Sequence, residues 1–328
     1  YESNYSDWMA GPGEETPLLS HRLLPEKLPR MWSEVGDDRP VYLVVIDNLR
    51  LDQWKMIEPL LLNRFRIAHN ETYFSMLPTA TQYARNALFA GMSPAEIARV
   101  YPQYWVGEEE EGSKNKFEGE LFQALLNRMN FEGKSSYHKI TNLAAGKKMV
   151  DHFHQTHGNA MTAVVYNFVD MLSHARTEMD VLKELAEDEA AYRSLTLSWF
   201  EHSALKDLLN LMADRGARVI ITTDHGTVRV GNPLKVKGER STNTNLRYKV
   251  GRNLGYAANE VFEVRQPEEV GLPRPNVSSA YIFAREDDFL VYPNNYNHFA
   301  QNFRDTFQHG GISLEEVIIP WVELDPIS

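Results

Sequence analysis

The chain contains no cysteine. A disulfide-stapled fold, a thiolate metal site, an iron–sulfur cluster and a cysteine nucleophile are thereby excluded. No apolar run approaches the roughly 20 residues that a membrane-spanning helix needs. No secretory leader opens the sequence, and its first residue is Tyr1 rather than methionine, so it reads as a piece of something longer. Excess positive charge is also lacking: 34 Lys and Arg stand against 45 Asp and Glu, a net −11. That argues against general duplex binding, while leaving room for a local basic groove. With 43% hydrophobic residues in a chain of 328, there is ample material for a large core, and extensive disorder is excluded.

Residues 1–37 carry Gly, Pro and acidic clusters and read as a connector that packs on the main domain. The texture changes at Pro40. Three apolar, β-branched runs each end in an acid: Val41 to Asp47, Thr162 to Asp170, and Ala217 to Asp224-His225. Runs of this kind are strands buried on both faces of a parallel sheet. Helical patterns lie between them, at about 51–67, 81–90, 117–130 and 178–214, and EVIIPWVEL (Glu316 to Leu324) supplies a last strand. Alternating strands and helices predict an α/β fold with a mostly parallel central sheet flanked by helices. Residues 92–160 and 226–300 do not follow that pattern and read as insertions over the C-terminal edge of the sheet. They include an acidic run, Glu108 to Glu111, read as a solvated loop, and the histidine-rich HFHQTH (His152 to His157), which has the spacing of a metal cluster but no acid partner beyond Asp151 and reads as ordinary histidines before a strand.

Ligands gather at the carboxyl ends of parallel strands, where Asp47, Asp170 and Asp224 all fall. A single strand-end Asp is ordinarily a cap or turn residue. Three together would place a charge of −3 in one pocket, which cations must offset. Asp170 and His174 are spaced to share a helical face. His225 follows Asp224, and His309 sits in FQHGG, where glycines allow close backbone approach. Carboxylates mixed with imidazoles favour zinc or manganese over calcium or magnesium. In FSMLPTATQYARNALFAG (Phe74 to Gly91), Thr79 or Thr81 is a helix cap, or Thr81 at the helix start is a metal-activated nucleophile.

Taken together, IDN, PTATQYAR, DMLSH, TTDHG and HGGISLEE resemble the alkaline phosphatase superfamily, in its nucleotide pyrophosphatase/phosphodiesterase style, and more finely the PglZ domain. TNTNLRYKVGRNLG (Thr242 to Gly255) and HGGISLEEVIIPWVEL further resemble the output region of PorX-type response regulators of Bacteroidetes, which serve type IX secretion. The resemblance covers about residues 38–328. It implies that Asp47, Thr81, Asp224 and His225 hold one zinc, that Asp170, His174 and His309 hold the other, and that Thr81 is the nucleophile. It implies a preceding receiver and helical region, a cytoplasmic location, a homodimer, and signalling or secretion-system partners. Threonine at 81 and the lack of cysteine set the chain apart from the sulfatase branch and from branches with a serine nucleophile.

The expected activity is a two-metal phosphodiesterase acting on nucleotides or oligonucleotides. Substrate-binding candidates are Asn48 beside Asp47, Arg85 one helical turn after Thr81, and a basic island from Lys235 to Arg252. That island holds Lys235, Lys237, Arg240, Arg247, Lys249 and Arg252 against one acid, Glu239. It reads either as a solvated loop or as a positive rim, with Arg247, Lys249 and Arg252 on phosphates and Tyr248 stacking on a base. Two alternatives remain: a metal-stabilised signalling module with little turnover, and a nucleic-acid binder without catalysis.

Overall fold

In a computed structural model of the chain, Val41–Ile46 forms β1 with all its residues buried. The structure describes residues 1–327 apart from 12, 14–15, 37–38, 168, 170–171, 173–187 and 240–241. β1 is the centre of a six-stranded sheet. The other strands of that sheet are β2 (Phe65–Phe74), β3 (Ser135–Ile140), β4 (Met161–Tyr166), β5 (Arg218–Thr222) and the C-terminal strand Ile318–Pro326. The order is β2, C-terminal strand, β5, β1, β4, β3. β1 pairs in parallel with both β4 and β5, and β3 in parallel with β4; the C-terminal strand runs antiparallel to its two neighbours.

Apolar runs buried on both faces need a helical layer on each side. α3 (Leu51–Leu61) and the helices Glu189–Glu201 and Ala204–Asp214 cover one face. α2 (Ser20–Val35), α4 (Thr81–Ala90) and α6 (Glu118–Arg128) cover the other, with α5 (Pro94–Val100) following α4. α7 (Leu143–Asp151) packs by β3. Removal of large side chains such as Trp54, Trp321 and Phe122 from water contributes about 1.5–3 kcal/mol each.

The first residues are tightly integrated. α1 (Glu2–Ala10) buries Tyr5, and α2 buries Ser20, Leu23, Leu24, Leu28 and Met31. The helix predicted to run to residue 67 stops at Leu61, shortly after Pro59, and the chain turns into β2. β2 is an edge strand with much of its length exposed, so no continuous apolar run announces it. The stretch 92–160, read as an insertion, contributes β3, the opposite edge of the main sheet. Residues 226–300 build small sheets of their own, chiefly an antiparallel one ordered Tyr248–Gly251, Ala280–Ala284, Val261–Val264.

Candidate active site

Val45 of β1 lies opposite Thr222 of β5. Asp47 and Asp224 each stand two residues further on, so strand pairing alone brings the two carboxylates together. The Asp47 N–H donates to the Tyr166 carbonyl at 2.9 Å. Asn48 takes the left-handed backbone (φ 62°), which asparagine tolerates. Its N–H then donates to Asp224 Oδ1 at 3.3 Å. Thr223 Oγ1 also donates to Asp224 Oδ1 and accepts from the Leu49 N–H. Burial pushes the Asp224 carboxyl above its ordinary pKa, against the pull of the Arg85 charge.

His225 is wholly buried. Its Nδ1 lies 3.0 Å from the Gly226 carbonyl, which turns Nε2 towards the carboxylates. Nε2 is 3.5 Å from Asp224 Oδ2 and 3.9 Å from Asp47 Oδ1. Gly226 is required here: a Cβ would sit 1.9 Å from the Glu315 carbonyl oxygen. Thr81, the first residue of α4, brings its Oγ1 to 3.2 Å from His225 Nε2 and 3.5 Å from Asp47 Oδ1.

Asp47, Asp224 and His225 each offer one ligand atom, all within 4.8 Å of one another. A tetrahedral cation with bonds of about 2.0–2.1 Å has ligand–ligand edges of roughly 3.3 Å. The separations of 3.2, 3.5, 3.5 and 3.9 Å around Thr81, Asp47, Asp224 and His225 fit such an ion. A second trio, Glu34, His69 and Glu323, lies elsewhere on the sheet, and Arg30 and Arg218 already pair with its acids. HFHQTH contributes no such group among the described residues.

His309 arrives from the other side. Its ring stacks on that of His225 at 4.3 Å between centroids, and its Nδ1 lies 3.1 Å from the Thr79 carbonyl. Thr79 Oγ1 donates to the Gly311 carbonyl and accepts from the Gly310 N–H, so this threonine staples the His309 loop to the chain entering α4. Ser75 Oγ donates to the Asp224 carbonyl at 2.7 Å and ties the same loop to β5. Ser75 is absent from the sequence-based site and Thr79 entered it only as a possible helix cap, because nothing in the local pattern separates them from ordinary turn residues. Asp170 and His174, the other two expected ligands, lie outside the described residues.

Arg85 is not at the rim where a substrate-gripping arginine was sought. It is fully buried behind the carboxylates, with Nη1 2.5 Å from Asp47 Oδ2 and Nε 2.5 Å from Glu118 Oε1. Burial works against its charge, but Asp47, Glu118 and Asp224 outweigh that and raise its pKa. Glu118 also accepts from Tyr137 and Asn115 and pairs with Lys139. Asn48 is likewise buried and serves Asp224 through its backbone.

The basic island is divided: Arg247 and Lys249 are buried, whereas Lys235, Lys237 and Arg252 are exposed. Arg247 is wholly buried and forms a two-pronged pair with Glu316, which also accepts from the Gly311 N–H. It therefore braces the His309 loop and does not form a positive rim. Tyr248 is buried and donates to Glu108, which also accepts from Tyr83. It has no face open for stacking, and Glu108 is docked, not solvated. Lys249 is 1% exposed, donates to the Asn243 carbonyl at 3.3 Å and lies 4.3 Å over the Tyr292 ring. Burial lowers its pKa to about 7. Arg252 is exposed and pairs with Glu239 at 3.5 Å. Arg240 lies outside the described residues.

The family described as the BREX system PglZ alkaline phosphatase-like domain matches residues 28–324. The chain belongs to this family. PglZ-type, alkaline-phosphatase-like architecture thus accounts for the mostly parallel sheet flanked by helices. No curated protein sequence matches the chain. Among solved structures, murine ectonucleotide pyrophosphatase/phosphodiesterase 5 is similar at 9% identity and a TM-score of 0.55, over 88% of each chain. An inactive threonine-to-alanine form of that enzyme in complex with AMP is similar at 10% identity and a TM-score of 0.54, again over 88% of each chain. Phosphonoacetate hydrolase from Sinorhizobium meliloti is similar at 12% identity and a TM-score of 0.53, over 88% of this chain and 90% of that one. These likenesses are of fold.

Proposed function

We propose that this PglZ-type domain is a metal-dependent phosphodiesterase that acts on nucleotide-type esters through Thr81. The observation that carries the reading is the position of Thr81 Oγ1, 3.2 Å from His225 Nε2 and 3.5 Å from Asp47 Oδ1, at a helix start. A hydroxyl on a buried carboxylate–imidazole group has the surroundings of an activated nucleophile. The threonine-to-alanine inactivation and the AMP named for the murine enzyme support both the residue type and the substrate class.

Asp47, Thr81, Asp224 and His225 would hold one cation, and His309 would join Asp170 and His174 around a second. Zinc suits the mixed oxygen and nitrogen donors, with manganese as the other fit. Ions held there would supply Lewis-acid chemistry that favours deprotonation of Thr81 and offsets charge on the phosphoryl group. Thr81 Oγ1 attacks phosphorus in line with the leaving alcohol, and the P–O bond to that alcohol breaks. The resulting phosphothreonine is cleaved by water, which returns Thr81. His225 and His309 are held in one tautomer by the Gly226 and Thr79 carbonyls, so each offers Nε2 without rearrangement.

The motifs TNTNLRYKVGRNLG and HGGISLEEVIIPWVEL extend the proposal to an output role in response regulators linked to type IX secretion. Hydrolysis of a mono- and a bis-nitrophenyl phosphate by zinc-loaded protein tests the substrate class. Turnover of the diester is expected. Turnover of the monoester alone overturns the class. Stoichiometric zinc with no turnover of any ester moves the domain to a signalling module.

A further inference from the structure

Thr81 is reached through the end of β2 at Phe74 and the segment Ser75 to Ala80, and the first four of these residues are bonded to residues that precede the PglZ match. The Leu77 N–H donates to the Tyr5 hydroxyl at 2.7 Å. The Met76 N–H donates to Ser20 Oγ at 3.1 Å. The Phe74 N–H donates to the Leu18 carbonyl at 2.9 Å, and the Tyr1 hydroxyl donates to the Ser75 carbonyl at 3.0 Å. Four consecutive residues, Phe74 to Leu77, are thus bonded to Leu18, Tyr1, Ser20 and Tyr5, whereas the family match begins at residue 28. Tyr5 and Ser20 are both 0% exposed, so water cannot replace either oxygen without local opening.

The same segment reaches the other side of the site. Glu2 forms a two-pronged pair with Arg285, at 2.5 and 2.8 Å. Arg285 directly follows the strand Ala280–Ala284, whose Ala284 carbonyl accepts the Ile312 N–H just beyond the His309 loop. Tyr1 and Trp8 pack their rings on Phe74, and Tyr1 stacks on Tyr5. α1 therefore spans from the loop carrying Thr81 to the strand bracing His309.

We propose that Tyr5 and Ser20 are positioning residues for Thr81, and that Tyr1–Ala10 together with Leu18–Ser20 form a strap completing an active site the PglZ domain does not complete alone. The inference rests on the reading of Thr81 as nucleophile. Thr79 is anchored to Gly310 and Gly311 from one side. Met76 and Leu77 are anchored by the strap from the other. Between these anchors only Pro78 intervenes, so loss of the strap bonds shifts the start of α4. A misplacement of about 1 Å at a nucleophile costs on the order of 100-fold in rate.

The test uses the whole chain carrying Tyr5→Phe, Ser20→Ala, or both. Tyr5→Phe keeps the ring packing and removes only the acceptor, so it remains informative if the double variant does not fold. Deuterium exchange at residues 76–77 is read alongside bis-nitrophenyl phosphate kinetics and metal content. The strap predicts exchange about tenfold faster at these amides, with the strands of the central sheet unchanged. It predicts kcat lower by about tenfold or more, with KM and metal content within about twofold. Unchanged exchange overturns the proposal, as does faster exchange with kcat intact. If the unaltered protein cleaves no phosphoester, it is the functional reading that fails, and exchange at Met76 and Leu77 alone decides whether the strap holds the loop.

Discussion

Arg85 and Asp47 form an ion pair at 2.5 Å with both side chains removed from water. Asp47 thereby divides its oxygens: Oδ2 meets the guanidinium, and Oδ1 faces Thr81 and His225. Arg85 is itself fixed by Glu118, so the guanidinium that holds Asp47 is anchored in turn. Replacing Arg85 by methionine leaves Asp47, Asp224 and Glu118 without their shared counter-charge. Such a change costs about 3–5 kcal/mol. Denaturant unfolding should show that loss, and added zinc should restore more stability to the variant than to the unaltered protein. Equal stability of the two in chelator would contradict the role given to Arg85.

Asp224→Asn removes a charged ligand and keeps the side-chain shape. The metal content of the purified variant, measured by plasma mass spectrometry, should fall by about one ion per chain, and turnover should fall with it. Full metal content would show that the trio of Asp47, Asp224 and His225 is not a site.

Arg247 and Arg252 are neighbours in the basic island but differ in environment. Arg247→Ala strands Glu316 in the interior and loosens Gly311, so both oligonucleotide and nitrophenyl substrates should lose turnover together, with stability lower by about 3–5 kcal/mol. Arg252→Ala, at an exposed pair, should change stability by less than about 1 kcal/mol. A selective loss on oligonucleotides in Arg247→Ala would restore the positive-rim reading.

Lys249 gives the fold a pH dependence of its own. Burial lowers its pKa to about 7, whereas an unfolded chain keeps that proton to roughly pH 10. Between these values the unfolded state binds more protons, so this residue makes stability rise with pH across the window and lowers it most below pH 7. Lys249→Met should therefore raise the melting temperature at pH 6 by roughly 2 °C or more and flatten its pH dependence between 7 and 10. An unchanged slope would mean that the Tyr292 ring and the Asn243 carbonyl hold the ammonium as well as water does.

The continuous apolar runs made β1, β4 and β5 legible, and their terminal acids pointed to where Asp47 and Asp224 stand. Thr81 at a helix start and the DHG turn were readable for the same local reason. β2 was hidden because an edge strand half open to water has no continuous apolar pattern. Arg85, Arg247, Tyr248 and Lys249 misled because a charged or polar residue looks alike in sequence whether it meets solvent or a buried partner. Their partners Glu118, Glu316 and Glu108 come from distant stretches, and only the fold brings them together. The strap was invisible for the same reason: nothing local ties Tyr5 to Leu77.

The central claim is that Thr81 is the nucleophile on a metal site made by Asp47, Asp224 and His225. The most direct measurement is bis-nitrophenyl phosphate hydrolysis by zinc-loaded protein and by its Thr81→Ala variant, with metal content determined on both. Turnover is expected in the first, with a loss of at least about 1,000-fold in the second and metal content largely retained in the variant. Turnover that survives the removal of the Thr81 hydroxyl would contradict the claim.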